Sequence, residues 1–283
     1  MTGEGIECRV LYRDALMLVI DKPPGMAVHR GAKGGASLED FFEHLRFGLP
    51  RPPALAHRLD RDTSGCLVLG RHRKALAHLG ALFKHGRIGK TYWAVVEGGP
   101  DAEEGEIDLP LGRLDASRGW WMKPDAGGLP ARTRWRVLGR ADPSPKRGGL
   151  HTGGVGLPHS SPPGAFGAAV PLQGRDKGLT WLALEPLTGR THQLRVHCAA
   201  MGWPVVGDAI YGTAPRRGGP GLHLHAAEVV VPLYPKRDPI RVSAPVPQHM
   251  RELLMRCGYR QAEIGNQEPV TVREAERGAE RII

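Results

Sequence analysis

Strand-like segments dominate this 283-residue sequence, and helices do not separate them at regular intervals. Residues 10–20 (VLYRDALMLVI) read as two strands around a polar turn at Arg13–Asp14. Asp21–Gly25 (DKPPG) is then a turn, because two prolines and a glycine stop strand pairing. Residues 66–70 (CLVLG) read as a short buried strand, and Thr91–Val96 (TYWAVV) as a strand of aromatic and β-branched residues. Ala131–Leu138, Leu179–Leu187, Leu222–Val231 and Ile240–Ser243 extend the series. Helices interrupt it irregularly. Ser37–Leu45 carries an N-cap at Ser37 and Asp40 three residues on. His72–His85 places Leu76, Leu79, Leu82 and Phe83 at helical spacing and ends at Gly86, and Thr191–Met201 ends at Gly202. A doubly wound fold needs regular strand–helix alternation. The expectation here is a mixed α+β fold, a largely antiparallel sheet with flanking helices.

Two stretches break the pattern. Residues 139–178 are rich in Gly, Pro and Ser and read as an insertion or linker, while residues 259–283 form a polar tail whose Val272–Ile283 suits a frayed helix. No internal repeat is visible. The remainder, about 10–258, is expected to be one domain. Hydrophobic residues make up 41%, enough for a packed core. The longest apolar run, Ala15–Ile20, is far shorter than the ~20 residues of a membrane span. The N-terminus lacks a secretory pattern. Cys8, Cys66, Cys198 and Cys257 are scattered with no CxxC pair, which argues against a zinc ribbon or disulfide framework and for a reducing cytoplasm.

The net charge of +10 reads either as that of a soluble protein that is simply Arg-rich or as a sign of a polyanionic partner, because Lys and Arg attract phosphates and release counterions. The excess is local: residues 51–100 hold nine Lys/Arg against three Asp/Glu. Inside that window lies His57–Gly65 (HRLDRDTSG), with two carboxylates and two guanidiniums within five residues. It reads as a solvated turn with surface ion pairs, or as charges held beside the core strand CLVLG for a purpose. If extended, it points Arg58, Asp60 and Asp62 one way, with Asp62–Gly65 as a turn. A second stretch, Leu187–His197 (LTGRTHQLRVH), feeds a glycine turn into a helix. Its Arg195 is either solvated or placed to hold a carboxylate ionised. The third, Lys90–Trp93 (KTYW), offers two strand aromatics or a face for stacking a base. His223 and His225 alternate on a strand and read as packing or surface residues rather than metal ligands. Gly31–Gly35 lacks the strand and helix context of a phosphate loop.

In this order, the three stretches resemble the pseudouridine synthases of the RluA type. HRLDRDTSG is similar to that family's active-site motif, KTYWAVVEG to its second motif, and LTGRTHQLRVHCAAMGWPVVGDAIYG to its third. LVIDKPPGMAVHRG and LHLHAAEVVVP also resemble family positions, so the likeness spans about residues 10–255 apart from 139–178. It begins too early to leave room for an S4-type RNA-binding domain, and none is expected. The resemblance implies isomerisation of uridine to pseudouridine in structured RNA, ribosomal or transfer. Asp60 would attack the ribose C1′ or take the 2′ proton. Tyr92 would stack on the base and assist removal of the C5 proton, Arg195 would pair with Asp60, and Arg58 would fill the gap left by the extruded uridine. Arg61, Lys90, Arg190 and His192 are the further expected RNA contacts. No cofactor or metal is expected, and the protein is expected to act as a monomer. A binding-only assembly factor on the same fold is the alternative, which has no need to keep Asp60, Tyr92 and Arg195 together.

Overall fold

The computed structural model describes residues 3–31, 34–115, 120–141 and 178–260. Its elements run α1 (Gly3–Glu7), β1 (Val10–Arg13), β2 (Met17–Lys22), a 3-10 helix (Leu38–Leu45), β3 (Ala54–Leu55), β4 (Ser64–Gly70), α2 (Arg73–Lys84), β5 (Gly89–Glu97), β6 (Glu104–Asp108), β7 (Leu111–Arg113), β8 (Met122–Pro124), β9 (Arg132–Ala141), β10 (Leu179–Pro186), α3 (Gln193–Ala200), β11 (Leu224–Val231), β12 (Ile240–Ser243) and α4 (Gln248–Arg256). One sheet runs β1-β2-β4-β11-β5-β10-β9-β6, with β3 on β4 and β12 on β11, while β7 and β8 form a separate hairpin. Among the described strand pairs, β4 with β11 is the parallel one and the rest are antiparallel. The expected α+β architecture is the one observed.

That parallel pair is a seam between two halves of the sheet. On one side, every residue of β4 is buried because both faces are covered. Leu67 and Leu69 pack with Leu18, Ile20 and the 3-10 helix residues Leu38, Phe42 and Leu45. Cys66 and Val68 pack with Met17, Val19 and Leu79 of α2. Two covered faces explain why CLVLG is apolar without alternation. On the other side, Ala94 and Val96 of β5, Leu182 and Leu184 of β10, and Leu194 and Cys198 of α3 share a core. At the seam, Gly65 lies opposite Ala226 with φ of 103°. A Cβ there would sit 2.3 Å from the Ala226 carbonyl oxygen, so only glycine lets the halves meet.

The sequence reading holds for most elements and fails at identifiable places. Asp14 makes the expected turn by accepting the Leu16 and Met17 amides, each at 2.8 Å. Ser64 and Gly65, expected in a turn, open β4 instead, and Lys22 closes β2. Residues 56–63 are irregular rather than extended. The strand Glu104–Asp108 was not foreseen. Its charged sequence pairs with β9, where Arg132 and Arg134 both engage Glu106. Tyr259, expected in the tail, packs edge-on against Trp93 and Trp181 at 5.7 and 5.5 Å between ring centres. Residues 142–177 of the expected insertion and the Val272–Ile283 helix lie outside the described residues.

Candidate active site

Asp60 sits on the loop that leads into β4. Its carbonyl accepts the Thr63 amide at 3.2 Å, closing a tight turn that delivers the chain to the seam. The loop is fastened by Lys22, whose ammonium is buried and donates to the carbonyls of Pro23, Met26 and Arg61 at 2.7, 2.9 and 2.8 Å. Burial pulls the Lys22 pKa down to about 8, against the raising fields of Asp62, Asp60 and Asp21. Arg61 adds a second tie by donating Nε to the Gly25 carbonyl at 2.9 Å. His57 anchors the loop to β4 by accepting the Val68 amide at 2.9 Å and stacking on Phe83. Burial drops its imidazole to about 3, so the ring is neutral at neutral pH.

Across the seam, β5 and the loop into α3 supply the opposite wall. Tyr92 pairs in register with Ala226 of β11 and Leu184 of β10. Burial and the nearby Asp60 charge push its phenol well above the ordinary tyrosine range. It is therefore a neutral phenol, suited to stacking and to donating a hydrogen bond but not to taking up a proton. Gln193 locks the 187–192 loop. Its oxygen accepts from the Thr188 hydroxyl and the Arg190 amide, while its nitrogen donates to the Arg132 carbonyl and Thr133. His197, another motif residue, is buried between the Thr133 hydroxyl and the Leu109 carbonyl. His223 and His225 are likewise packed: His223 meets the Gly221 carbonyl, and His225 bridges Ser64 and the Ala244 carbonyl.

These walls enclose a cleft of about 920 Å³. Arg58, Asp60, Lys90, Tyr92, Arg190, His192 and Arg195 all line it, whereas Arg61 and Asp62 do not. Lys90, partly buried on β5, has its pKa lowered by desolvation. Arg190 is half-buried and donates Nε to the Pro130 carbonyl at 3.0 Å. Beyond the rim, Trp120 is 55% exposed and packs edge-on against His192 at 5.2 Å, and the Arg216 guanidinium lies over Trp121.

The expected Arg195–Asp60 ion pair is corrected by the structure. Arg195 grips Asp208 through Nε and Nη2, both at 2.7 Å, and the two side chains are 4% and 1% exposed. Asp208 also accepts the Ile210 and Tyr211 amides, so its buried charge demands this fork. Burial works against both charges, but their mutual bonds hold Asp208 below and Arg195 above their ordinary values. Arg195 still feels Asp60 as a charge, which raises its pKa further. The side chain facing the Asp60 carboxylate is His192, whose Nε2 lies 3.7 Å from Oδ2, and burial lowers the pKa of that imidazole. Lys22, Asp208 and Tyr211 were therefore missed as site residues, although all three lie inside the quoted motifs. Their signal was a lone lysine before two prolines and an acid-to-tyrosine turn after α3.

The chain matches the family model described as RNA pseudouridylate synthase over residues 16–200. A Zymomonas mobilis protein named as an RNA pseudouridine synthase is 37% identical over 247 residues, covering 87% of this chain and 96% of that one. Ribosomal large subunit pseudouridine synthase C of Vibrio cholerae is 32% identical over 260 residues, covering 88% of this chain and 69% of that one. The solved structure of human RNA pseudouridylate synthase domain containing 1 superposes with a TM-score of 0.62 at 26% identity, over 87% of this chain and 86% of that one. The fold, the match across most of the domain and these relatives together lead to one conclusion: the chain belongs to the RNA pseudouridylate synthase family, of the RluA type, and is an RNA-directed isomerase.

Proposed function

We propose that the enzyme converts uridine to pseudouridine in structured RNA, with Asp60 as the catalytic carboxylate. The observation that carries this is the position of Asp60 in a basic cleft that Tyr92 and Arg195 also line. The reaction breaks the N1–C1′ bond and makes a C5–C1′ bond, so it is redox-neutral. One carboxylate that acts on the ribose, at C1′ or at the 2′ proton, meets its main demand. Tyr92 stacks on the detached uracil and, as a neutral phenol, hydrogen-bonds beside C5, while the C5 proton leaves to the Asp60 carboxylate freed as the C5–C1′ bond forms and a proton is gained at N1. Arg195 supports the Asp60 charge from a distance, held in place by Asp208. Arg58, exposed at the rim, occupies the space left by the extruded nucleotide, and Lys90 and Arg190 meet phosphates. Arg61 contacts RNA from outside the cleft, with the part of its fork not spent on Gly25.

Ribosomal RNA is the first substrate class to test, with transfer RNA second. The four cysteines are free thiols, which supports action in a reducing cytoplasm. No helix among the described residues is long and apolar enough to cross a membrane. A single chain carries both walls of the cleft, which supports action as a monomer. The test is to incubate the protein with ribosomal and transfer RNA and map pseudouridine chemically. Wild type is expected to yield product at defined sites, and Asp60→Asn none, with RNA binding close to wild type. Full activity in Asp60→Asn would reject the role given to Asp60.

A further inference from the structure

His192 has a left-handed backbone, with φ of 54° and ψ of 17° at the N-terminus of α3. A non-glycine residue pays strain there and persists only where its surroundings over-determine it. The surroundings here are specific. The Nδ1 atom lies 2.8 Å from the Tyr211 hydroxyl, and that hydroxyl accepts the Met122 amide at 3.0 Å. Trp120 covers the ring edge-on, and the side chain is only 8% exposed. The opposite ring nitrogen, Nε2, faces Asp60 Oδ2 at 3.7 Å, longer than a hydrogen bond, as contacts between reacting groups commonly are before substrate binds.

Hydrogen-bond accounting selects the tautomer. The Tyr211 oxygen already accepts the Met122 amide, and its own proton is best used on Nδ1. That leaves the ring proton on Nε2, pointing at the carboxylate. The other tautomer would set an imidazole lone pair against carboxylate lone pairs and leave the Tyr211 proton unused. We infer that His192 is a positioning residue for Asp60, a neutral Nε2–H donor fixed by the Tyr211 hydroxyl that orients the reacting carboxylate. The charged and titratable groups around the ring agree with a neutral imidazole. Asp60 and Arg58 approach from one loop, Arg195 from α3, and Asp208 and Tyr211 from the following turn, and the balance with burial lowers the His192 pKa. This goes beyond the RNA contact expected of His192 and rests on Asp60 being the reacting group.

Two substitutions separate this role from a backbone role. The amide nitrogen of Gln reaches the position of Nε2, whereas Asn is the better residue for a left-handed backbone but is too short. His192→Ala is expected to lower kcat about 100-fold, the scale of a misplaced reacting group, with a much smaller loss of RNA affinity from its RNA contact. His192→Gln should recover most of that loss and His192→Asn should not. Asn equal to or better than Gln, with both variants folded by thermal melting, would overturn the inference. Rates are read as pseudouridine formed in total ribosomal RNA. If wild type forms none, the functional reading fails and the inference is read separately. Nitrogen-15 spectra of the histidine rings in the free protein are expected to show His192 protonated on Nε2 at neutral pH, with Tyr211→Phe eroding that preference. A ring protonated on Nδ1 would overturn it regardless of activity.

Discussion

The two halves of the sheet hold their shares of the cleft in opposite ways. The β1-β2-β4 half fixes the Asp60 loop by tying side chains to backbone: the buried Lys22 ammonium and Arg61 donate to carbonyls, and His57 accepts the Val68 amide. The β11-β5-β10-β9-β6 half fixes the α3 loop with reciprocal side-chain pairs: Arg195 with Asp208, Gln193 with Thr188 and Thr133, and His192 with Tyr211. Backbone partners cannot be mutated away, so the first half depends on the few side chains that reach them, with the buried Lys22 making three of the bonds. The second half spreads the task, and each member leaves a buried polar partner behind when removed.

The comparison is broken most forcefully at Arg195. Arg195→Met strands the buried Asp208 carboxylate and is expected to cost about 3–5 kcal/mol in urea unfolding. Adding Asp208→Leu should return most of that stability while activity stays low, because the pair offsets itself energetically but not functionally. If Arg195→Met cost less than about 1 kcal/mol, the reciprocal-pair account of the second half would be wrong.

The seam gives the next effect, and it depends on pH. Burial drops the His225 imidazole to about 4, against 6.5 when free. Between those values the unfolded chain binds a proton that the folded chain does not. Stability therefore falls as pH falls from about 6.5 to about 4, by up to about 3 kcal/mol from this residue. His225→Gln should flatten that loss when unfolding is compared at pH 7 and pH 4.5. His57 keeps part of the slope, because it titrates in the same direction. An unchanged slope would show that His225 is not buried as a neutral ring at the seam.

Lys22 sharpens the contrast with the smallest effect on stability. Lys22→Met removes a buried charge, which is favourable, and strands three carbonyls, which is not. The two nearly cancel, leaving global stability within about 1 kcal/mol of wild type. The Asp60 loop should nevertheless open, seen as faster amide exchange at Thr63 and reduced pseudouridine formation. Slow exchange and full activity would remove Lys22 from the site.

What was legible in the sequence follows from how far each signal reaches. The β4 core strand, α2 and the β5 aromatics were legible because periodicity and apolar content are local. Asp60, Tyr92 and Arg195 stood out through motif resemblance, and the fold brings all three to one cleft. The partner of Arg195 was not legible. A guanidinium chooses among carboxylates by final distance, and Asp208, thirteen residues away, reaches it in a turn that periodicity does not describe. Strand β6 was hidden for a related reason. Its Glu-Gly-Glu sequence looks soluble until Arg132 and Arg134 arrive from β9. Lys22 looked like a turn residue because its three acceptors carry no side-chain signature.

The seam also has a consequence for biosynthesis. Ser64 and His225, which join across it, are separated by 161 positions along the chain. The strand that bears Tyr92 lies between β11 and β10, so it takes its place only after residues 179–186 and 224–231 have been made. A growing chain emerges with Asp60 early and the opposite wall late. An unfinished copy on a translating ribosome, surrounded by RNA, thus holds the carboxylate proposed as catalytic without the opposite wall of its cleft, which is complete only once β11 has been made.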